Sequence, residues 1–169
     1  MSESISSIML TSALFLLMFS LLASFLIVTN NVTSEYEKVR FNDIANYIAR
    51  NLVDVTTLSY ESSYGSISLG IVLHIPTEVN NKGYSISIIN ESGIYEVLVV
   101  SDTNSFVYGK APLWATTGIQ IQFNGPVTIP SLNRTVYCKS KIYSGTEKIV
   151  VWATKQNGKI TAGIGTLNQ

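Results

Sequence analysis

The stretch SIMLTSALFLLMFSLLASFLIV, residues 7–28, contains no charged residue, no proline and no glycine. From Ile8 to Val28 it has 21 residues, of which 13 are Leu, Ile, Phe or Val. At 1.5 Å per residue, a helix of this length spans about 31 Å, which is enough to cross the core of a bilayer. Its 13 strongly apolar side chains together favour insertion by about 4–8 kcal/mol. The sequence therefore predicts an N-terminal helix that enters a membrane.

The flanking residues do not fit a cleaved signal peptide. Such a peptide has a basic start, a shorter apolar core and a small-residue cleavage site. Here MSESIS (1–6) contains no Lys or Arg, and the apolar run continues into TNNVTSEYEKVR (29–40) without a cleavage pattern. We expect the segment to be uncleaved.

Beyond the apolar run, the pattern is that of an amphipathic helix. Apolar residues from Val32 to Val55 recur at largely helical spacing, and polar residues such as Glu37, Arg40 and Asp43 are expected on the opposite face. No Pro or Gly occurs before Gly65, which predicts one continuous helix over about 4–57. The residues expected to dock its second half on the rest of the chain are Tyr36, Ile44, Tyr47, Ile48 and Leu52.

From Ser59 onward the period of the pattern changes to two, which is typical of β-strands. The predicted strands are 66–75, 84–90, 94–101, 118–123, 134–144, 148–155 and 159–165, with 105–109 as an eighth candidate. KQNGK (155–159) carries the Asn-Gly signature of a hairpin turn, and NKG (81–83) and ESG (91–93) are further predicted turns. The predicted fold class is α+β: a long N-terminal helix over 1–58, hydrophobic then amphipathic, followed by a compact antiparallel β-sandwich-like domain over 59–169.

The composition argues against nucleic-acid binding. The net charge is zero and only 13% of the residues are charged, whereas a nucleic-acid-binding domain needs a basic face. In place of charge the chain has 21 Ser, 15 Thr and 13 Asn residues, which predicts a polar but neutral surface. With a single cysteine, Cys138, it cannot form an internal disulfide.

The sequence offers little for catalysis. His74 lies in the apolar run GIVLHI and is expected to be a core or pleat-facing histidine, and Cys138 is expected to be a packed, inert thiol. A metal site needs clustered ligands, and the chain has one His and one Cys. No nucleophile-elbow, P-loop or dinucleotide motif is present. The sequence therefore predicts neither an enzyme nor a cofactor.

Two features concern the outer surface. Asn31, Asn90 and Asn133 lie in N-glycosylation sequons, and we expect glycans at Asn90 and Asn133, which lie beside predicted turns and loops. Asn31 lies on the long helix, where packing is expected to block a glycan. Most aromatic residues of the β-domain are expected in its core, while the loop KAPLWATTG (110–118), with Trp114, is a candidate for contact with a sugar or a surface.

A long uncharged N-terminal helix, an amphipathic continuation and a small β-domain together resemble the archaeal type IV pilins. The passage LHIPTEVNNKGYSISI (73–88), in which a strand ends in Pro, a turn carries Gly and a Tyr-led strand follows, also resembles a pattern of archaeal pilin-like proteins. Bacterial pilins differ, because they carry Glu at the fifth mature position where this chain has Ile5.

The resemblance implies a homopolymer in which the N-terminal helices form the core of an extracellular filament and the β-domains lie outside. A dry core excludes unpaired charge, and the chain has none from residue 4 to residue 34. Small residues such as Ala13, Ser20 and Ala23 would let helices approach closely. The side chains expected to build this core are Leu14, Phe15, Leu17, Phe19, Leu22 and Phe25.

The orientation of the helix depends on what precedes it. Lys38, Arg40 and Arg50 follow the apolar run and no basic residue precedes it, so the positive-inside rule places the β-domain in the cytoplasm. The β-domain would instead be extracellular if a short basic leader preceded Met1 and was removed by a prepilin-type peptidase, as the resemblance implies. An inverted topology with Met1 as the initiator is the alternative.

Two functions remain open from the sequence. The first is a pilus subunit that is inserted in the membrane before the pilus assembly machinery polymerises it, and that serves adhesion or cell–cell contact. The second is a membrane-anchored accessory protein, associated with an archaellum or binding an envelope layer through an extracellular β-domain. They differ in whether the apolar helix contacts copies of itself or lipid.

Overall fold

A computed structural model of the chain describes residues 2–113, 118–145 and 148–167, with side chains from Ser7 onward. Trp114 of the candidate contact loop lies outside these residues. The chain divides into two compact units, Met1–Tyr36 and Glu37–Gln169. This division falls within the long helix because the second half of that helix packs into the core of the β-domain, whereas the predicted boundary at residue 58 marks the end of the helix.

The N-terminal element is a single α-helix, α1, which runs from Ser2 to Glu61 without interruption. Its length follows from the sequence, because no Pro or Gly occurs before Gly65. The predicted fold class is confirmed: a long N-terminal helix is followed by β-sheets whose strands are mainly antiparallel.

Over the described residues that follow α1, the chain forms ten strands and one short 3-10 helix. They are β1 (Ser66–Val72), β2 (Tyr84–Glu91), β3 (Ile94–Ser101), β4 (Tyr108–Pro112), β5 (Ile119–Ile121), β6 (Gly125–Ile129), the 3-10 helix Pro130–Leu132, β7 (Arg134–Cys138), β8 (Lys141–Tyr143), β9 (Lys148–Gln156) and β10 (Lys159–Leu167).

The strands form two sheets. The first has the order β1-β9-β10-β7-β6, with the short strand β5 also paired to β10, and the second has the order β4-β3-β2-β8. Every pairing is antiparallel except that of β5 with β10, which is parallel. The predicted Asn-Gly hairpin joins β9 to β10, and Asn157 and Gly158 adopt the left-handed backbone conformation that this turn requires, with φ of 49° and 78°.

Two strand predictions needed correction. The predicted strand 134–144 is two strands in different sheets: Cys138 of β7 pairs with Gly165 in the first sheet, while Lys141 of β8 pairs with Ser87 in the second. Strand β6 was missed, because Gly125 and Pro126 are poor strand formers in isolation. It is held by pairing with β7 across the 3-10 helix.

The main core combines the helix with both sheets. Ile48 of α1, Val97 of the second sheet and Val151 of the first sheet belong to one buried apolar cluster. The helix backbone comes close to β4, since a Cβ atom placed on Gly109 would lie 2.3 Å from the backbone N of Asn42. Only glycine therefore allows this approach of strand to helix.

A second, smaller cluster occupies the opposite face of the first sheet. Val150 and Trp152 of β9 belong to it, whereas Val151 and Ala153, which alternate with them along the strand, belong to the main core. This alternation is the two-residue period of a strand with both faces covered. The 3-10 helix helps to close this cluster, because Leu132 packs against it.

Candidate assembly and docking surfaces of the N-terminal helix

The first part of α1 presents apolar side chains in every direction. The six residues predicted to build a helical core are each 48–68% exposed in the single chain: Leu14, Phe15, Leu17, Phe19, Leu22 and Phe25. Burial of the part of these six side chains that is still exposed would contribute about 5–11 kcal/mol. Within the part of the chain that the structure describes, one helix is long and apolar enough to cross a membrane.

Three hydroxyl groups of this segment bond to their own helix. The hydroxyls of Ser24 and Thr29 donate to the carbonyl oxygens of Ser20 and Phe25, each at 2.9 Å, and the hydroxyl of Thr11 donates to the carbonyl oxygen of Ser7 in the same way. These hydroxyls therefore need neither water nor a partner chain, which suits a surface that is buried in a dry environment.

The second part of α1 lies on the β-domain, with a buried face that differs in part from the predicted one. Ile44, Ile48 and Leu52 belong to the main core, as expected for docking residues. Tyr36 and Tyr47 are 51% and 41% exposed, so the prediction was wrong in placing them on the buried face. Successive residues of a helix are rotated by about 100°, and Tyr47 therefore points away from the face that contains its neighbours in the core.

Other residues complete this docking face. Phe41, Ala45, Ala49 and Val55 are all buried in the main core. Together with Ile44, Ile48 and Leu52 they recur at three- and four-residue steps. The predicted face lacked this regular spacing, because it included Tyr36 and Tyr47 and left out Phe41.

Glu37 also lies on the buried face, which corrects its predicted place among the exposed polar residues. Its side chain is 1% exposed, and its Oε1 accepts hydrogen bonds from Lys82 Nζ at 2.7 Å and from Asn80 Nδ2 at 2.8 Å. Desolvation acts to raise the pKa of the Glu37 carboxyl, but the hydrogen bonds from Asn80 and Lys82 and the Lys82 charge outweigh it, so the pKa lies below 4.5. The pair ties the helix to the turn that contains Asn80 and Lys82.

The passage 73–88, which carries the sequence resemblance, forms the platform for this half of the helix. The ring of Tyr84 packs against that of Phe41 with centroids 5.6 Å apart, and its hydroxyl donates to the carbonyl oxygen of Pro76. Burial raises the pKa of Tyr84 to about 12. Since Asn80 and Lys82 belong to the same passage, its Pro, turn and Tyr act together to hold α1.

All three sequon asparagines are exposed in the single chain. Asn90 lies at the end of β2, and its Oδ1 accepts a hydrogen bond from the backbone N–H of Gly93 at 3.0 Å. Asn133 follows the 3-10 helix in the left-handed conformation, with φ of 49°. Exposure does not separate Asn31 from the other two, so the expected difference between them stays a prediction that depends on packing of the helix.

The two residues considered for chemistry differ in burial. His74 is exposed, which corrects its expected place in the core or on a sheet, because β1 ends at Val72. Cys138 is buried, and this burial raises the pKa of its thiol. Within residues 2–113, 118–145 and 148–167, no group of three or more His, Cys, Asp or Glu residues is placed to hold a metal ion.

The chain matches no known protein-family model, no curated protein and no solved structure. Its functional features are therefore identified from its own sequence and geometry. One unbroken helix carries exposed apolar side chains over 8–28 and a buried face over 37–59.

Proposed function

We propose that this chain is the structural subunit of an extracellular filament of the archaeal type IV pilus kind, which polymerises through its N-terminal helix and serves adhesion or cell–cell contact. The observation that carries the proposal is that the two parts of α1 have different surroundings. Residues 8–28 are apolar and exposed on every side, while the continuation of the same helix is fixed in the core of the β-domain. In such a subunit, the helix that polymerises continues into the domain that would face outward.

The composition of the apolar segment supports association between copies of the helix. Ala13, Ser20 and Ala23 are small enough to let neighbouring backbones approach, and the phenylalanines fill the space between them. Before assembly the same surface is stable in lipid. The partners implied are therefore other copies of the chain, a membrane, a prepilin-type peptidase and the pilus assembly machinery.

A membrane-anchored accessory protein of the archaellum or envelope is the second candidate. It is favoured by the length of the apolar run, which matches the thickness of a bilayer core. In that case the helix would contact lipid permanently, and the packing of small residues would be irrelevant.

Substitutions in the apolar segment distinguish the two functions. We expect Leu17→Glu to abolish filaments, because every subunit would bury an unpaired carboxylate in a dry interface at a cost of several kcal/mol. We expect Ala23→Leu to reduce filament yield as well, because it adds bulk at a close helix contact although it makes the segment more apolar and so favours insertion in lipid. Asn46→Glu, on the exposed face of the docked half of α1, is the matched control.

The measurement is negative-stain microscopy of material sheared from cells, with mass spectrometry of the filaments and of the membrane fraction. Loss of filaments in Leu17→Glu and Ala23→Leu, with Asn46→Glu unaffected, supports a helical core. Filaments of normal yield from both core variants rule out close helix packing. A wild-type chain that is found only in membranes, with no filament containing it, favours the accessory protein.

A further inference from the structure

A cleft of about 490 Å³ opens on the β-domain, away from α1. Its volume falls within the range of roughly 300–1,000 Å³ that is typical of small-ligand sites. The lining side chains come from β5 and the residue that follows it, from β6, β9 and β10, and from the turn between β9 and β10. Those of β9 alternate with residues of the main core, so the cleft lies on the face of the first sheet that carries the smaller apolar cluster.

The cleft gathers glutamines that are far apart in sequence. The chain has four glutamines, and Gln120, Gln122 and Gln156 all line this cleft, while Gln169 lies outside the described residues. The strand register brings them together, because Gln120 pairs with Thr161 and Thr161 pairs with Thr154 across the neighbouring strand.

These side chains offer one kind of chemistry. An amide carries two donors and an acceptor, and a threonine hydroxyl both donates and accepts. Of the described side chains that line the cleft, one is ionisable, Lys159, and none is a carboxylate. A phosphate site would gather several cations and a metal site would gather carboxylates, so this lining matches neither. It suits a neutral ligand with many hydroxyl groups, and Lys159 can accommodate an acidic one.

Trp152 is one of the residues that line the cleft, and it is 1% exposed. Its ring packs against Gly163, where an added Cβ would lie 3.1 Å from Trp152 Cζ2. The indole N–H lies near the Cys138 thiol and acts to lower the pKa of that thiol, although burial has the larger, raising effect. Among the described residues, this N–H has no hydrogen-bond partner. Because the ring of Trp152 is buried, it cannot stack on a sugar ring, and recognition of a ligand in the cleft rests on hydrogen bonds. The fluorescence of Trp152 should nevertheless change when a ligand fills the cleft.

We propose that this cleft binds a saccharide, neutral or singly acidic, through the amide and hydroxyl groups of β5, β9 and β10. The proposal does not depend on polymerisation of the helix. Hydrogen bonds made in competition with water give modest affinity, so a monosaccharide binds in the millimolar range.

The test uses the full chain in a phosphocholine detergent, because detergents with sugar headgroups would compete. The chain has two tryptophans, so Trp114→Phe leaves Trp152 as the only indole fluorophore. The probes are glucose, galactose, N-acetylglucosamine and glucuronic acid, titrated with fluorescence and with saturation-transfer NMR as a second readout. We expect a saturable response to at least one of these sugars.

Two variants and a control locate the binding. Gln120→Ala combined with Gln156→Ala should weaken binding about tenfold or more, equivalent to about 1.4 kcal/mol. Gln156→Glu keeps the shape of the side chain, and it should weaken glucuronic acid more than the neutral sugars. The matched control removes two amides of α1, with Asn46→Ala and Asn51→Ala; each of these amides bonds to the backbone of its own helix.

Several results would overturn the proposal. These are the absence of saturable binding for all four sugars, unchanged affinity in the double glutamine variant, or an equal loss in the control. Binding of an extended peptide in the cleft in place of the sugars also contradicts it. Circular dichroism and the melting temperature show whether each variant is folded, and Gln156→Glu provides the answer if the double variant is not. Failure here is separate from failure of the filament proposal, which the Leu17 and Ala23 variants test.

Discussion

Replacing Ile48 with alanine tests whether the second half of α1 is part of the domain core or a stalk that merely tethers it. Ile48 is completely buried in a cluster to which both sheets contribute. Tyr47, the preceding residue, is 41% exposed. The two substitutions therefore remove apolar atoms from adjacent positions of the same helix with opposite environments.

The expected magnitude follows from burial. Truncation of a buried Ile to Ala costs about 2–5 kcal/mol, because the transfer free energy is lost and a cavity remains. For a domain of this size, each kcal/mol lowers the melting temperature by about 3–5 °C, so Ile48→Ala should melt about 6–25 °C below the wild type. Tyr47→Ala, at an exposed position, should change the free energy of unfolding by about 0.5 kcal/mol or less.

The assay is thermal and urea unfolding of a chain that begins at Ser34 and so lacks the apolar segment. This chain is expected to be soluble, β-rich and monomeric, whereas one that begins at Ser59 leaves the apolar platform uncovered and should aggregate. Equal melting temperatures for Ile48→Ala and Tyr47→Ala would refute the reasoning, since they would show that the helix does not stabilise the core.

Two further predictions concern Glu37 and the sequons. The pKa of Glu37 in the folded state is lowered from 4.5, so its contribution to stability is present above that value and is lost as the pH falls through the folded pKa. Glu37→Gln should therefore lower the free energy of unfolding at neutral pH by about 1–3 kcal/mol, a cost that the partial exposure of Lys82 moderates. The same substitution should make the free energy of unfolding less dependent on pH on the acid side. Identical pH profiles for the two proteins in urea unfolding would contradict this. Intact-mass and peptide analysis of the native protein should find glycans at Asn90 and Asn133 and none at Asn31, because the proposed packing of the helices would cover Asn31. An unmodified chain, or a glycan at Asn31 in filaments, would contradict this prediction.

The features that could be predicted from the sequence are local ones. The helix was predicted from the absence of Pro and Gly before residue 65, and its apolar first part from the absence of charge. Both predictions rest on the types of the residues, which do not depend on their surroundings. The Asn157-Gly158 hairpin was equally accessible, since only a few residue types adopt its backbone conformation at low cost. The buried positions Ile44, Ile48 and Leu52 followed from helical periodicity.

Only the tertiary structure decided the features that depend on two distant segments meeting. The sequence pattern predicts Glu37 to be an exposed charge, whereas in the structure Asn80 and Lys82 bind its buried carboxylate. The pattern also predicts one strand over 134–144, whereas the two ends of this segment pair with different sheets. The cleft is the clearest case, because Gln120 and Gln156 lie 36 positions apart and become neighbours only through their pairing with and along β10. Burial and hydrogen bonding depend on which surfaces meet and not on the type of one residue alone. The sequence patterns therefore predicted most helices and strands of this chain, whereas its candidate sites followed from the register of the strands.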